Sequence, residues 1–280
     1  HIRSIQHTDY ISRSNPEEVI GGNDIQLLID QVNKLAMLPG EEIIHVLPQE
    51  FKIDGQTEIK EPIGMYGGRL ESSFHVVVGQ ASSIRNVGRC IQSSGIELSG
   101  LTLEPLASSD AVLSQEEKEA GVALIDIGGG TTDVAVISLG GIVVCSSVKC
   151  AGNRLDLSIV DYVKKTYNLA IGEKTAEDIK IKIGSAVTVE EELSVIVKGR
   201  DYVTGLPRSI ELRTNEIVKA IAKELRDMIK AIKDVLQETP PELASDIIDQ
   251  GITMTGGSSL LRNLPELVFR RTGVKAKLAD

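Results

Sequence analysis

Three consecutive glycines between two apolar segments constrain the fold of this chain more than any other feature. The sequence Asp126-Ile-Gly-Gly-Gly-Thr-Thr-Asp133 separates the apolar residues 121–125 from the apolar residues 134–138. This pattern predicts a β-hairpin whose tip has few side chains, because glycine lacks a Cβ atom. Backbone N–H groups at such a tip can converge on an anion, and threonine hydroxyls add donors. We therefore predict a phosphate-binding loop formed by Gly128, Gly129, Gly130, Thr131 and Thr132.

Asp126 precedes this loop and is predicted to orient Mg²⁺ or its water shell, because magnesium takes only one or two carboxylates and keeps several waters. Other phosphate-binding motifs fit less well. A Walker loop needs Gly-Lys-Ser/Thr, and a dinucleotide fingerprint needs a following helix, whereas a strand is predicted here. A glycine-rich hairpin without a ligand is the alternative, since turns collect glycine in any case.

A second glycine-rich segment, Gly256-Gly257-Ser258-Ser259, follows the predicted strand 252–255. Small hydroxyl residues there are predicted to open a helix over residues 259–271, whose N-terminus offers free N–H groups and the positive end of the helix dipole. A nucleotide could lie against this end. The alternative is a plain connection between a strand and a helix.

Glu177 and Lys180 lie three residues apart on a predicted helix over residues 174–183, so they share a face. The carboxylate could accept hydrogen bonds from ribose hydroxyls while the lysine stem packs on a base. The alternative is a solvated surface pair, which is common on helices.

Composition narrows the function classes. Aromatic residues make up 3% of the chain and tryptophan is absent, so the core must be built from Ile, Val, Leu and Ala, as in sheets covered by helices. A formal charge of −10 without a basic cluster argues against a nucleic-acid partner. The three cysteines lack C-x-x-C spacing, which indicates neither a disulfide framework nor a zinc site and favours a reducing cytosol.

The order of predicted elements is that of an α/β protein. In the first half we predict strands near residues 2–11, 42–53, 74–79 and 98–103, and helices near 23–38, 82–94 and 105–113. In the second half we predict two strands and a turn within 134–148, a helix over 153–167, strands at 193–198 and 209–212, a long helix from 214 or 215 to 237, and a last strand at 275–280. Residues 249–251 are predicted to lead into the strand at 252–255.

These elements together resemble the actin-like ATPase superfamily, in which two related domains clamp ATP between phosphate hairpins and an adenosine-side glycine turn. Residues 1–133 resemble the FtsA family of bacterial cell-division proteins, through His45-Val-Leu-Pro-Gln-Glu-Phe-Lys-Ile-Asp-Gly-Gln56, Pro62-Ile-Gly-Met-Tyr-Gly-Gly-Arg-Leu70 and Leu103-Glu-Pro-Leu-Ala107. Residues 134–280 resemble the MreB family of rod-shape proteins, through Val134-Ala-Val-Ile-Ser138, Ile171-Gly-Glu-Lys-Thr-Ala-Glu177, Ile183-Gly-Ser-Ala186, Val197-Lys-Gly-Arg200 and Pro240-Pro-Glu-Leu-Ala-Ser-Asp246.

The resemblance implies an actin-like, ribonuclease H-like fold. It implies a small α+β FtsA-type subdomain at residues 1–80, the remainder of a first large domain at 81–120, and a second domain at 121–280 with a smaller subdomain near 168–213. It also implies ATP and Mg²⁺ as cofactors, with Glu177 and Lys180 toward ribose and adenine, Gly256 to Ser259 on the adenosine side, and Glu104 as the carboxylate that positions the attacking water. The family's first phosphate hairpin and FtsA's membrane-targeting tail are not in these residues, so we expect a fragment with weakened ATP binding and at most weak ATPase activity.

Three functions follow from the resemblance. The first is a cytoplasmic FtsA-type adaptor at the inner face of the cell membrane, which self-associates and links the division ring to the membrane, with FtsZ or other division proteins as partners. The second is an MreB-type filament-forming ATPase that determines cell shape. The third is a sugar kinase or chaperone ATPase on the same fold, because one architecture hosts many functions.

Overall fold

The computed structural model describes residues 2–138 and 141–279, apart from the side chains of residues 2–4 and 58. The chain forms two compact units. Unit 1 contains residues 1–106 and 139–143, and unit 2 contains residues 107–138 and 144–280. These units are defined by compactness alone, so the predicted division at residues 80 and 120 stays a prediction.

Unit 1 is a four-stranded sheet with two helices. The strand order is β1-β4-β2-β3, and the paired neighbours are antiparallel. Its core contains Phe74, Leu28 and Leu70, none of which is exposed to solvent. The elements are β1 (Ile2–Ser12), α1 (Gly22–Val32), β2 (Glu41–Ile53), β3 (Gln56–Ile59), β4 (Arg69–Gln80) and α2 (Ala81–Ser93).

Two predictions for unit 1 are wrong in detail. Helix α1 ends at Val32 rather than near residue 38, and both Leu35 and Met37 pack against the core beyond its end. Residues two apart on a regular helix would point in different directions, so this packing favours extended chain. The strand predicted at residues 98–103 is absent from the described residues, and the Leu103 N–H instead donates to Nε2 of His45 at 3.2 Å.

Unit 2 holds a five-stranded sheet in the order β12-β11-β5-β6-β7 and a small antiparallel sheet in the order β10-β9-β8. Strands β5, β11 and β12 are parallel, whereas β5 and β6 form an antiparallel hairpin. The elements, with α3 and β7 crossing the boundary between the units, are α3 (Glu104–Val112), α4 (Gln115–Ala120), β5 (Val122–Ile127), β6 (Thr132–Ser138), β7 (Gly141–Val148), α5 (Gly152–Tyr167), β8 (Leu169–Ala170), α6 (Glu173–Ile183), β9 (Ser194–Asp201), β10 (Pro207–Arg213), α7 (Thr214–Glu238), α8 (Pro241–Gln250), β11 (Ile252–Thr255), α9 (Leu264–Thr272) and β12 (Ala276–Leu278).

The long helix α7 confirms the predicted amphipathic stripe. The six predicted core residues are buried, namely Ile217, Ile221, Leu225, Met228, Ile232 and Val235. Such a stripe packs one face of a helix onto a core and leaves the other face to solvent. None of the helices in residues 2–138 and 141–279 is both long and apolar enough to cross a membrane.

Two short helices of unit 2 were not predicted. Helix α4 begins at a capping box, in which Ser114 and Glu117 bond reciprocally. Helix α8 includes Asp249 and Gln250, so these residues end a helix and do not lead into a strand as predicted. The turn between β6 and β7 is predicted at residues 140–141. Residue 140 lies outside the described residues, and Gly141 is already the first residue of β7.

Candidate functional site

The triple-glycine segment forms a hairpin, as predicted. Strands β5 and β6 pair up to Ile127 opposite Thr132, and the Gly128 N–H donates to Thr131 O at 3.0 Å to close the turn. Both strands are almost fully buried, because the hairpin lies inside the five-stranded sheet. A rigid scaffold therefore holds the exposed glycines Gly129 and Gly130.

Carbonyl groups of this turn are used inside the fold. The Gly128 carbonyl accepts hydrogen bonds from the Gly152 N–H at 3.2 Å and from the Ser258 Oγ at 2.8 Å. The Gly129 carbonyl accepts from the Asn153 N–H at 2.8 Å. The first two N–H groups of α5 are thus consumed in positioning the hairpin, so this helix start is not available to an anion.

The amide N–H groups of the turn, unlike its carbonyl groups, are not used in hydrogen bonds within the described residues. The N–H groups of Gly129, Gly130 and Thr131 donate to no acceptor among residues 2–138 and 141–279. A Cβ built on Gly130 would meet no atom within 4 Å, so open space faces this residue. Successive free amides next to open space form an arrangement that can bind the oxygens of a phosphate.

Thr132 does not present its hydroxyl to this space, contrary to prediction. Its side chain is buried and its Oγ1 donates to the Cys150 carbonyl at 2.7 Å. Because the residue after the turn starts the buried strand β6, its hydroxyl needs a partner inside the fold. Thr132 thereby ties β6 to the chain that leads into α5.

Asp126 lies opposite a second carboxylate, that of Asp133, which was not predicted as a site residue. Asp126 and Asp133 lie opposite each other in the register of β5 and β6, so their side chains leave the same face of the sheet. The Ser108 hydroxyl donates to Asp126 Oδ2 at 2.6 Å, whereas Asp133 Oδ2 is buried and has no hydrogen-bond partner in the described part of the chain. Like charges in this position repel each other, and a hydrated cation between them would offset the repulsion.

The second glycine-rich loop lies beside the hairpin. Strand β11 runs parallel to β5 with Thr255 opposite Asp126, so the two loops leave the same edge of the sheet. Gly256 has a φ of 85°, and a Cβ there would lie 2.5 Å from Asp126 Oδ1 and 2.5 Å from Ile127 O. Only glycine permits this close approach of the two loops.

The helix predicted to start at Ser259 is wrong. Residues Gly257–Leu260 form a single 3₁₀ turn, and α9 begins only after Asn263, which adopts a left-handed conformation with φ of 61°. The Ser259 hydroxyl is buried and donates to Gly256 O at 2.6 Å. The loop hydroxyls therefore fix the backbone of the site, and the predicted helix N-terminus does not exist there.

Glu177 and Lys180 share helix α6 but turn to different partners. The Lys180 ammonium lies 2.9 Å from Asp156 Oδ1, with side chains that are 12% and 11% exposed, and it also donates to Gly152 O at 3.3 Å. Burial raises the pKa of the Asp156 carboxyl, and the Lys180 ammonium partly offsets this. Glu177 instead pairs with Lys174 at 2.8 Å, which lowers the pKa of the Glu177 carboxyl.

Glu104 is an exposed residue at the start of α3 and belongs to unit 1, whereas both glycine-rich loops belong to unit 2. Its predicted role toward the attacking water therefore stays a prediction. No group of three or more His, Cys, Asp or Glu side chains that could hold a metal ion occurs within the described ranges.

Gly152, Asn153 and Asp156 at the start of α5 were not predicted as site residues. A signal for Asp133 was available, since the segment is symmetric about its turn and a tight hairpin pairs its first residue with its last. For Gly152 the signal was weaker, namely a glycine between a strand and a helix.

Comparison with known proteins supports both resemblances. The family model for MreB/Mbl protein matches residues 74–280, and the model for the SHS2 domain inserted in FtsA matches residues 1–78. The MreB/Mbl match thus extends nearer to the N-terminus than the boundary predicted at residue 133.

Individual relatives support the MreB/Mbl resemblance. The chain is 41% identical over 196 residues to the cell shape-determining protein MreB of Escherichia coli strain K12, covering 70% of this chain and 56% of that protein. It is 45% identical over 161 residues to the cell shape-determining protein Mbl of Bacillus subtilis strain 168, covering 58% of this chain and 48% of that protein. The chain thus spans about half the length of these relatives.

Solved structures establish the fold. The crystal structure of MreB5 of Spiroplasma citri bound to ADP matches with a TM-score of 0.66 and 39% identity, covering 72% of this chain and 60% of that one. The PilM–PilN complex of type IV pilus biogenesis matches 99% of this chain and 66% of that one with a TM-score of 0.55, at 15% identity. The predicted actin-like fold is confirmed, and the chain belongs to the MreB/Mbl family.

Proposed function

We propose that unit 2 binds the phosphates of ATP at the β5–β6 turn and that the chain acts as an MreB-type filament-forming protein of cell shape. The single observation that carries nucleotide binding is the run of unpartnered amides at Gly129, Gly130 and Thr131 beside open space. Matching MreB5 structures of Spiroplasma citri are bound to ADP and to AMPPNP, which supports the same ligand class here.

Mg²⁺ fits the carboxylates beside this turn. Asp133 Oδ2 is a buried oxygen without a partner among the described residues, and Asp126 faces it from the neighbouring strand. We propose that these two carboxylates hold the water shell of the ion, which when bound neutralises charge on the phosphates.

The MreB-type function is preferred to the FtsA-type adaptor that the first half of the sequence suggested. The FtsA match ends at residue 78, whereas the MreB/Mbl match covers the remainder, and the relatives at 41% and 45% identity are named cell shape-determining proteins. Self-association into filaments follows from this assignment. Binding to FtsZ and attachment to a membrane stay predictions.

Isothermal titration of Mg-ATP into the chain and into a Gly130→Asp variant tests nucleotide binding. A Cβ at Gly130 meets no atom within 4 Å, and the aspartate carboxylate adds a negative charge beside the free amides, so affinity should fall at least about tenfold, or ~1.4 kcal/mol. Gly100→Asp is the matched control, because a Cβ at Gly100 also meets no atom within 4 Å and the residue lies in unit 1. Equal affinity of the two variants for Mg-ATP would overturn the proposal.

Light scattering in the presence of Mg-ATP tests filament formation. The signal should rise for the chain and should be lost in the Gly130→Asp variant.

A further inference from the structure

A groove in unit 2 follows one side of helix α7. Its volume is about 660 Å³, and the α7 residues that line it run from Val218 to Gln237. At 1.5 Å per residue this wall is about 28 Å long, or roughly five helical turns. The other lining residues are residues 186–188 and three residues of α9, Leu267, Arg270 and Arg271. A cleft of this length suits an extended or helical segment better than a compact small molecule.

The floor of the groove is apolar. Leu225 and Ile229 of α7 line it, together with Val187, and these side chains are at most 9% exposed. Leu267 of α9 contributes a further apolar side chain. An apolar floor of this kind binds the apolar face of an amphipathic segment.

The rim is strongly cationic. Arg226, Lys230 and Lys233 follow one another at spacings of four and three residues, which places them on one side of α7, and Arg271 of α9 lines the same groove. None of these four forms an ion pair with a described residue. A fifth cation, Arg270, is paired with Glu266, and Asp234 is the one acidic residue in the lining. This concentration of unpaired positive charge contrasts with the net charge of −10 of the chain.

We propose that this groove binds an acidic amphipathic helix of a partner protein. Carboxylates spaced by three or four residues on one side of such a helix would meet the cations of α7, and its apolar side would cover the floor. The groove shares no lining residue with the two glycine-rich loops, so this proposal does not depend on nucleotide binding.

A second copy of the chain is a poorer occupant. The most exposed apolar segment of unit 2 is the tip between β9 and β10, where Val203 is 82% exposed and Leu206 is 65% exposed. Arg200 and Arg208 flank this tip, and Asp201 pairs with Arg208 alone, so the tip would bring a net positive charge to a positive rim.

The test is a selection from a displayed library of helical peptides about 18 residues long, five turns, with randomised charged and apolar positions. The intact chain is the target, and a Lys230→Glu/Lys233→Glu variant serves for counter-selection. Enriched peptides are expected to carry acidic residues three or four apart beside apolar ones. Their affinity, measured by fluorescence anisotropy, is expected to fall at least about tenfold in this variant.

Lys219→Glu/Lys223→Glu is the matched control, because it makes the same charge change on exposed residues of α7 that do not line the groove. It should leave peptide affinity unchanged. Ala222→Trp, which fills the groove without changing charge, should also abolish binding. Each of the following results would overturn the proposal: no enrichment of acidic amphipathic sequences, equal loss of affinity in both double variants, or a groove that binds only inorganic pyrophosphate. A change of sedimentation in Lys230→Glu/Lys233→Glu without peptide binding would assign the groove to a second copy and equally overturn it.

Discussion

Replacing Gly152 with alanine is expected to break the hydrogen bond that joins the two glycine-rich loops. A Cβ at Gly152 would lie 2.4 Å from the Ser258 Oγ, which donates to Gly128 O at 2.8 Å. Ordinary non-bonded contact requires about 1 Å more, so the hydroxyl must rotate away from the carbonyl. The other neighbours, Gly128 O and Lys180 Nζ, would each lie at an acceptable 3.4 Å.

The expected loss of stability in Gly152→Ala follows from this one hydrogen bond. A neutral hydrogen bond contributes about 0.5–1.5 kcal/mol to stability, and Gly128 O keeps its second donor, the Gly152 N–H at 3.2 Å. Gly152→Ala should therefore cost about 1 kcal/mol in the free energy of unfolding, less whatever the alanine gains in helix propensity. Ser258→Ala should cost a similar amount. In the Ser258→Ala background the hydroxyl is already gone, so Gly152→Ala should be neutral or stabilising.

Urea denaturation of the four proteins of this cycle gives the coupling energy. We expect about 1 kcal/mol, above the 0.3–0.5 kcal/mol within which distant sites add. The control cycle pairs Gly152→Ala with Ser259→Ala, because the Ser259 Oγ donates to Gly256 O and does not approach Gly152. That cycle should be additive. If both cycles were additive, the bond between the loops would have no energetic role and this explanation of Gly152 would be refuted.

Three further perturbations test the interior. Both ring nitrogens of His75 are buried without a described partner, and burial lowers its pKa, so the unfolded chain binds a proton that the folded chain does not. The free energy of unfolding should therefore fall as the pH drops from about 7.5 to about 5.5. In urea denaturation, His75→Leu should make this free energy depend less on pH. An unchanged pH dependence in the variant would contradict the prediction. The hydrogen bond to Glu216 raises the pKa of Tyr167 to about 12, so Glu216→Gln should return this pKa toward its ordinary value. Ultraviolet titration of tyrosinate measures the Tyr167 pKa. An unchanged pKa in the variant would assign the shift to burial. Asp156→Ala should cost ~3–5 kcal/mol by leaving the Lys180 ammonium buried without its carboxylate, and Asp156→Leu/Lys180→Met should cost less in the same denaturation assay. An equal cost for the two would show that packing, and not charge, dominates at this pair.

The hairpin could be predicted because its signal is local. A triple glycine between two apolar segments specifies a strand, a turn and a strand within a few residues, and the antiparallel pairing then follows. The long helix α7 could be predicted for the same reason, since its apolar stripe repeats over its whole length.

Partners that are distant along the chain could not be predicted. Lys180 pairs with Asp156, 24 residues away, and Ser258 bonds to Gly128, 130 residues away. No local pattern encodes these contacts, because they depend on which elements pack together.

The turn that separates residues 257–260 from α9 could not be predicted either. Leu261, Leu264 and Val268 are all buried at helical spacing, so one continuous helix and a turn followed by a helix have the same apolar pattern.

The two polar groups of each peptide unit are used differently at the β5–β6 turn. Gly128 and Gly129 offer their carbonyls to α5 and to the second loop, while the amides of Gly129, Gly130 and Thr131 are left without described acceptors. A buried turn would need partners for both kinds of group, whereas an exposed turn could leave both to water. Because the carbonyls are fixed by three separate donors, the amides are held in place before any ligand arrives, and little ordering cost remains for an anion that binds them. The same hydrogen bonds to the Gly128 carbonyl connect the turn to Gly152 and Ser258, so a shift of the turn on phosphate binding would also displace these two residues.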